Sequence, residues 1–415
     1  MQTLFQRVAG LDVHKNNVVT CVRLTNAQGK AEDCIRTFGT MTADLLSLND
    51  WLTEHQVTHV AMESTGVLWK PVWNILEGNA WQLLLVNARE LKQVPGRKSD
   101  VKDSQWIAHL LACGLLKSSY VPKHEQRELR DLTRQRAQLY GEQTRCANRI
   151  HKVLQDANIK LSSVATDVLG MSGRDMLAAL VEGEKDPEAL AARARGKLRA
   201  KIPQLQRALN GRVTEHHRFL LEQLLAHLAH LEEQLARFTE RIEEALLPFV
   251  DEATRERLDA IPGVSNQTIQ NVVAEIGVDM KQFPSAGHLA SWAGVCPGNE
   301  ESAGKRKRSR TTKGNVWLRR ALCQASWAAS RKKDSYFQAQ YRRLASRRGA
   351  KRAAMAVGHT LLEVFYHLLK NPQMQYKDLG SQHYDTLDPG RLCRHLVKRL
   401  EGLGYEVKLA AQPAA

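Results

Sequence analysis

The chain has 415 residues, 43% of them hydrophobic, with a formal net charge of +16 and a pI near 9.6. That length accommodates two or three domains with at least one sizeable core, and so positive a balance favours a polyanionic partner, nucleic acid or an anionic membrane. A membrane role is disfavoured: no window approaches the roughly 18 uninterrupted apolar residues of a spanning helix, and the opening "MQTLFQRVAG" lacks a signal-peptide core. The seven cysteines are scattered, none at zinc-ligand or redox-motif spacing, and read as reduced thiols of a cytoplasmic protein.

Residues 1 to about 120 read as α/β. Strand-like runs at Arg7–His14, Val18–Leu24 and Asp33–Phe38 are followed by an amphipathic helix over Thr42–His55, a strand "HVAMES" and a helix around Val67–Leu76. A strand "QLLLVN" and a helix starting near Asp100 complete the series. A three-strand meander followed by alternating β and α units is the order of an RNase H-like fold.

A long helix is expected over 125–155, with Leu129, Leu132, Arg136, Leu139, Gln143, Cys146, Ile150 and Val153 in a partly polar seam. Its flanks carry Arg134, Arg145, Arg149 and Lys152, either a solvated face or a nucleic-acid contact. Residues 156–212 are mixed and helix-leaning, and "KDPEALAARARGKLRA" looks like a surface helix. From 213 to 247, Leu221, Leu224, Leu228, Leu231, Leu235, Phe238, Ile242 and Ala245 keep a coiled-coil spacing that Pro248 ends. That seam suits either pairing with the 125–155 helix or a dimer contact.

"LDAIPGVSNQTIQNVVAEIG" reads as helix, tight turn at Pro262-Gly263, helix. This is the pattern of a helix-hairpin-helix, whose backbone N–H groups at Gly263 suit a phosphate. Lys305–Arg352 holds seventeen Lys or Arg against the single acid Asp334, which matches the net charge of the whole chain. Its start, "GKRKRSRTTKGN", reads as a Gly-flanked basic loop. Lys305, Arg306, Lys307, Arg308, Arg310, Lys313, Arg319 and Arg320 are its candidate nucleic-acid contacts. Trp292, Trp317 and Trp327 fit core positions better than base-stacking platforms. The tail offers a helix, "DPGRLCRHLVKRLEGL", and a strand-like "YEVKLA".

Asp12 interrupts the apolar run "VAGLDV", and a buried carboxylate is costly unless paired, hydrogen-bonded or metal-bound. In an RNase H-like sheet the first strand neighbours "HVAMES", which brings Glu63 toward Asp12. Asp100 and Asp103, three apart, share one helix face. Alone, these two would be ordinary helix N-terminal acids. Together the four form a carboxylate cluster that needs a counter-charge, and Mg²⁺ suits carboxylate-plus-phosphate sites.

"GLDVHK", "MESTG", "DVKD", "FPSAGHLASWAGVCPGNEESAGK" and "TTKGNVWLRRALCQAS" resemble the motifs of the DEDD transposases of the insertion-sequence-110 family. So do the hairpin segment and "NRIHKVLQDANIKL", so the resemblance covers most of the chain. It implies a RuvC-like nuclease domain (1–120), a basic helix and coiled-coil domain (121–250), a mainly α transposase domain with helix-hairpin-helix (251–370) and a helix-and-strand tail (371–415). It implies Mg²⁺ on Asp12, Glu63, Asp100 and Asp103, and a serine nucleophile that becomes covalently joined to a DNA phosphate. The matching position is Ser302; Ala303 stands where many members have Gly. It also implies an element-encoded RNA that pairs with donor and target DNA. From the residues alone Ser302 is a loop serine beside phosphate-holding cations, and Ser309 would serve equally well.

The expectation is therefore a transposase or recombinase of an insertion sequence, acting as a homo-oligomer, dimer or tetramer, if one chain cannot bring metal site and serine together. The alternatives are a RuvC-like structure-specific endonuclease that uses water as nucleophile, and a non-catalytic nucleic-acid scaffold.

Overall fold

The computed structural model describes residues 3–26, 28–64, 66–87, 91, 103–297, 300–302, 305–308 and 311–409, and divides into two units, Met1–Pro122 and Lys123–Ala415. No helix among the described residues is long and apolar enough to cross a membrane. All seven cysteines are free thiols.

The first unit is built on a five-stranded sheet ordered β3-β2-β1-β4-β5. Its strands are β1 Arg7–Val13, β2 Asn17–Thr25, β3 Ala31–Gly39, β4 His59–Glu63 and β5 Gln82–Val86. The first three form an antiparallel meander, and β4 and β5 add in parallel to β1. Helix α1, Thr42–Glu54, and helix α2, Trp69–Leu76, supply the crossovers that parallel pairing needs.

Strand β1 lies mid-sheet and is covered on both sides, which is why it reads as a continuous apolar run rather than an alternating one. Ala9, Leu11 and Val13 face Leu45, Leu48 and Leu52 of α1 and Val72 and Leu76 of α2. Val8 faces the other way with Cys21, Ala61, Leu84 and Val86, under a helix α3, Asp103–Ala112, that buries Trp106, Ile107, Leu110 and Leu111. Each fully buried Leu or Ile contributes about 1.5–3 kcal/mol. This burial holds α1 in place, since its N-cap Met41 makes no side-chain capping bond. Burial also pushes the Cys21 thiol up to about 12, with the Asp33 carboxylate adding to the effect, so the group is chemically quiet.

Gly10 sets how closely α3 approaches. A Cβ at this position would lie 2.3 Å from the Ser104 carbonyl oxygen and 2.4 Å from the Ala108 nitrogen. Both are backbone atoms of α3 and cannot swing aside. Gly10→Ala therefore forces the helix off the sheet, and we expect a loss of about 1–3 kcal/mol, as for other overpacked cores. Urea unfolding checks this; an unchanged midpoint would refute the close packing of α3 on β1.

In the second unit, α4 (His124–Asp156) and α8 (Glu215–Leu246) run antiparallel. Asp156 meets His217 at 2.9 Å, the Cys146 thiol donates to the Leu224 carbonyl at 3.3 Å, and Gln143 donates to Glu232 at 3.4 Å. The two seams share one core, Leu139, Cys146 and Ile150 from α4 with Leu221, Leu228 and Leu231 from α8. The heptad positions are thus consumed within the chain. Helices α5 (Met171–Glu182), α6 (Pro187–Ala191) and α7 (Ile202–Leu209) close the same cluster through Met176, Leu180, Leu190 and Leu205. The surface helix expected in "KDPEALAARARGKLRA" is instead broken: Leu190 and Ala191 are buried, and Gly196 takes φ +55°, which no continuous right-handed helix allows.

The chain continues through α9 (Glu252–Asp259), α10 (Asn266–Ile276), α11 (Ala286–Ala293), a two-stranded ribbon of β6 (Glu300–Ser302) and β7 (Lys305–Arg308), and α12 (Val316–Ala329). Helix α13 (Tyr336–Arg348) and helix α14 (Ala350–Lys370) follow, and α14 buries Val357, Leu361, Leu362 and Phe365 at helical spacing. The tail holds α15 (His383–Leu387) and α16 (Pro389–Glu401). The strand expected at "YEVKLA" does not form among the described residues, because neither sheet offers it a neighbouring strand.

Candidate active site and nucleic-acid interface

Asp12 is the sixth residue of β1, Glu63 the last of β4 and Asp103 the first of α3. The parallel register pairs Val8 with His59 and runs to Leu11 with Met62, so one further step sets Asp12 beside Glu63. Neighbouring strands lie about 4.8 Å apart. Leu11 and Met62 both belong to the core under α1 and α2. Side chains alternate along a strand, which turns Asp12 and Glu63 to the face that α3 covers. The contact of Gly10 with Ser104, the residue after Asp103, places the start of α3 on that face and at that end of the strands.

Strand register and helix docking therefore place three of the four acids toward the same end of the β1–β4 pair. Asp100 lies outside the described residues. The Asp12 side chain is 19% exposed and its Oδ2 lies 3.1 Å from Nε2 of His14, which is 57% exposed. Among the described residues no group of three or more His, Cys, Asp or Glu is gathered closely enough to hold a metal ion. The donors are nonetheless all carboxylates, the hard oxygen ligands that Mg²⁺ prefers over softer metals.

The basic segment expected as a loop is a β-ribbon in its first half. Ser302 ends β6 opposite Lys305, and an isolated bridge between Pro297 and Thr311 closes the base. Gly294 and Gly314 bring the two stems together: a Cβ on Gly294 would lie 2.5 Å from the Gly314 nitrogen, and one on Gly314 would lie 2.3 Å from the Ala293 carbonyl carbon. Lys305, Arg306, Lys307 and Arg308 form β7, whereas Ser309 and Arg310 lie outside the described residues. Lys313 and Arg320 are exposed, and Arg319 is half-buried with its Nε unpaired among the described residues.

On α4, Arg145, Arg149 and Lys152 are exposed, with Arg145 3.7 Å from Glu142. Arg134 is different. Its Nε and Nη2 donate to the two oxygens of Glu275 at 2.7 and 2.8 Å, and its guanidinium lies 5.9 Å from the Trp317 ring centroid. Glu275, 2% exposed, also accepts from Asn315, the N-cap of α12, at 2.6 Å, and stands 3.4 Å from Arg130. This knot ties α4, α10 and α12 together, so a large part of the Arg134 fork is committed inside the protein. Sequence reading passed over Glu275, although a lone acid in the apolar run "VVAEIG" is the same signal that singled out Asp12.

The Pro262-Gly263 turn does join α9 to α10. Gly263 has φ +80°, and a Cβ there would lie 2.3 Å from the Ala329 nitrogen and 2.6 Å from the Ala325 carbonyl oxygen of α12. Glycine is required at this position by packing against α12. Trp327 is 40% exposed rather than buried, while Trp292 and Trp317 are half-buried.

Two family models match the chain. The DEDD transposase model of the IS110 family covers residues 9–159, which takes in β1 through α4, and the model described as "Transposase IS116/IS110/IS902 family" covers residues 255–342, from α9 through most of α13. No curated protein matches it. The first match contains the acidic end of β1 and β4 and the second contains the ribbon with Ser302, in the order that the motifs led one to expect. The chain belongs to the IS110 family of insertion-sequence transposases, enzymes that cut and rejoin DNA.

Proposed function

We propose that this transposase cuts DNA with a Mg²⁺ site formed by Asp12, Glu63, Asp103 and Asp100 and a serine nucleophile at Ser302, guided by an element-encoded RNA. The observation that supports it most is the β1–β4 register, which sets two carboxylates side by side at the end of the strands where α3 begins. An acid pair held by strand backbone on both sides keeps its spacing without help from flexible side-chain contacts.

When bound there, a divalent cation would supply Lewis-acid stabilisation of charge on the scissile phosphate. The residues of the chain do the rest. Asp12, Glu63, Asp103 and Asp100 would hold that cation at the end of the strands. Ser302 attacks phosphorus through Oγ, its hydroxyl proton passes to solvent, and the bond from phosphorus to one sugar oxygen breaks. The serine–phosphate ester keeps the bond energy of the broken link, so the freed sugar oxygen of another strand can reverse the step and rejoin DNA. Lys305 and Arg306 neutralise the phosphate as it approaches. Arg145, Arg149 and Lys152, exposed on α4, contact nucleic-acid backbones. Since the α4–α8 seam is filled within the chain, the proposed homo-oligomer assembles through other surfaces.

The test is to incubate the full chain with donor and target DNA, with and without Mg²⁺, and to analyse the nucleic acid that copurifies. The expected result is a Mg²⁺-dependent, denaturant-resistant protein–DNA adduct and one discrete RNA. Mg²⁺-dependent cleavage with no adduct would instead establish the water-using endonuclease, and the absence of a discrete RNA would remove the guide.

A further inference from the structure

Arg136 occupies a heptad position of α4 where an apolar side chain is expected, and it is 2% exposed. A buried guanidinium costs several kcal/mol unless its charge is matched. Arg23, partly buried, lies 2.7 Å from Asp33, and Arg174, 38% exposed, is paired with Glu232; these carboxylates hold both guanidinium pKa values up, while the buried Arg257 instead donates to the backbone carbonyls of Leu368 and Asn371. Arg136 makes no ion pair among the described residues. Its Nη2 donates to Asn271 Oδ1 at 3.3 Å, and burial draws its pKa down, opposed only in part by Tyr140 and Glu243 acting through space. The Glu243 carboxylate is itself taken by Arg255, at 3.0 Å, and by Asn266 and Gln270.

The side chain borders a cavity of about 520 Å³ between α4, the start of α10 and α12. The acid lining this cavity, Glu275, is already neutralised by Arg134 and Arg130. What is left is Arg136 inside, Arg320 exposed on α12 and the N-terminus of α10, where Ser265 is the cap. A helix N-terminus carries partial positive charge and free N–H groups. Tyr140, 39% exposed, and Trp317 add aromatic surface to the same wall. The cavity is thus cationic, roomy and partly aromatic, and it is bordered by a desolvated guanidinium with no carboxylate partner among the described residues.

We infer that this cavity is a binding pocket for one phosphodiester group and its attached nucleoside in a single-stranded nucleic-acid segment, with Arg136 as the buried anion ligand and Arg320 as the outer one. Base–aromatic stacking on Tyr140 or Trp317 suits an unpaired nucleotide, whose ring faces are free. The inference rests on the reading that the protein handles nucleic acid, but not on the acid tetrad or on Ser302.

The test uses the full chain and fluorescence anisotropy with labelled single-stranded RNA and DNA of one sequence, across a salt series. Arg136→Gln is expected to weaken binding about tenfold or more, and Arg320→Ala, exposed and harmless to folding, several-fold, each lowering the slope of log affinity against log salt by about 1. Arg237→Ala, an exposed arginine of α8, serves as the control and should leave both unchanged. RNA preferred over DNA assigns the pocket to the guide, and the reverse to a displaced DNA strand. Wild-type affinity and salt slope in both Arg136→Gln and Arg320→Ala would overturn the inference. So would inorganic phosphate raising the unfolding temperature through Arg136 while oligonucleotide binding ignores it, since the ligand would then be free phosphate. An Asp12→Asn protein should keep full oligonucleotide binding while losing cleavage, so failure of the pocket and failure of the metal site give different results.

Discussion

Asp12→Asn should reduce DNA cleavage by about three orders of magnitude, while the protein folds as before. The size follows from the proposed chemistry. Metal-assisted stabilisation of a phosphoryl transition state is worth several kcal/mol, and each 1.36 kcal/mol is about tenfold in rate, so losing a central ligand worth about 4 kcal/mol costs about 10³. The fold should survive because Asn keeps the shape of Asp. Among the described residues the partner of Asp12 is His14, and with His14 57% exposed that pair contributes little. Thermal unfolding should therefore shift by less than about 0.5 kcal/mol in stability. The two measurements must be made on the same preparation. Gly10→Ala lies two residues away on the same strand and should behave in the opposite manner, with stability falling first and activity following from the displaced α3. An Asp12→Asn protein that cleaves at the wild-type rate would refute the tetrad.

Ser302→Ala should abolish the covalent protein–DNA adduct altogether, because alanine has no oxygen to form the ester. This is the sharpest discriminator between a serine recombination chemistry and hydrolysis by water. Ser302 closes β6 opposite the first residue of β7. Its backbone is thereby tied into the ribbon, and a nucleophile on a hydrogen-bonded strand end can be held in line with a phosphate. Ser309, beyond the end of β7, is the internal control: Ser309→Ala should leave the adduct intact. Denaturing gel electrophoresis with end-labelled DNA reads both. A full adduct in Ser302→Ala, or its loss in Ser309→Ala, would move the nucleophile.

Much of the first unit was legible before any coordinates. The runs around Asp12 and Glu63 gave strand positions within a residue or two, because a strand buried on both faces writes a continuous apolar run. The meander-then-alternation order then left few topologies. The long helices over 124–156 and 215–246 were equally clear from their periodicity. The basic segment after Gly304 was not. Lys and Arg have no strong strand preference, and the ribbon forms because Gly294 and Gly314 pinch its stems together, a contact between residues twenty apart. Arg134 was similarly opaque. One-signed charge on a helix marks a face for nucleic acid, but an arginine 141 positions from its carboxylate partner looks the same in sequence as a free one.

What the sequence determined by itself is local and periodic: which segments are strands and helices, where the acids fall along them, which motifs mark the family and where the positive charge accumulates. Only the tertiary structure decided which charges are already used. Ion pairing and burial depend on segments far apart in the chain meeting within about 4 Å, and no local pattern encodes that distance. It showed Arg134 bound to Glu275, the leucine seam of α8 packed against α4, and Gly10 and Gly263 chosen for backbone contact. It also left Arg136, which the heptad pattern had assigned to a seam, buried without a carboxylate partner among the described residues.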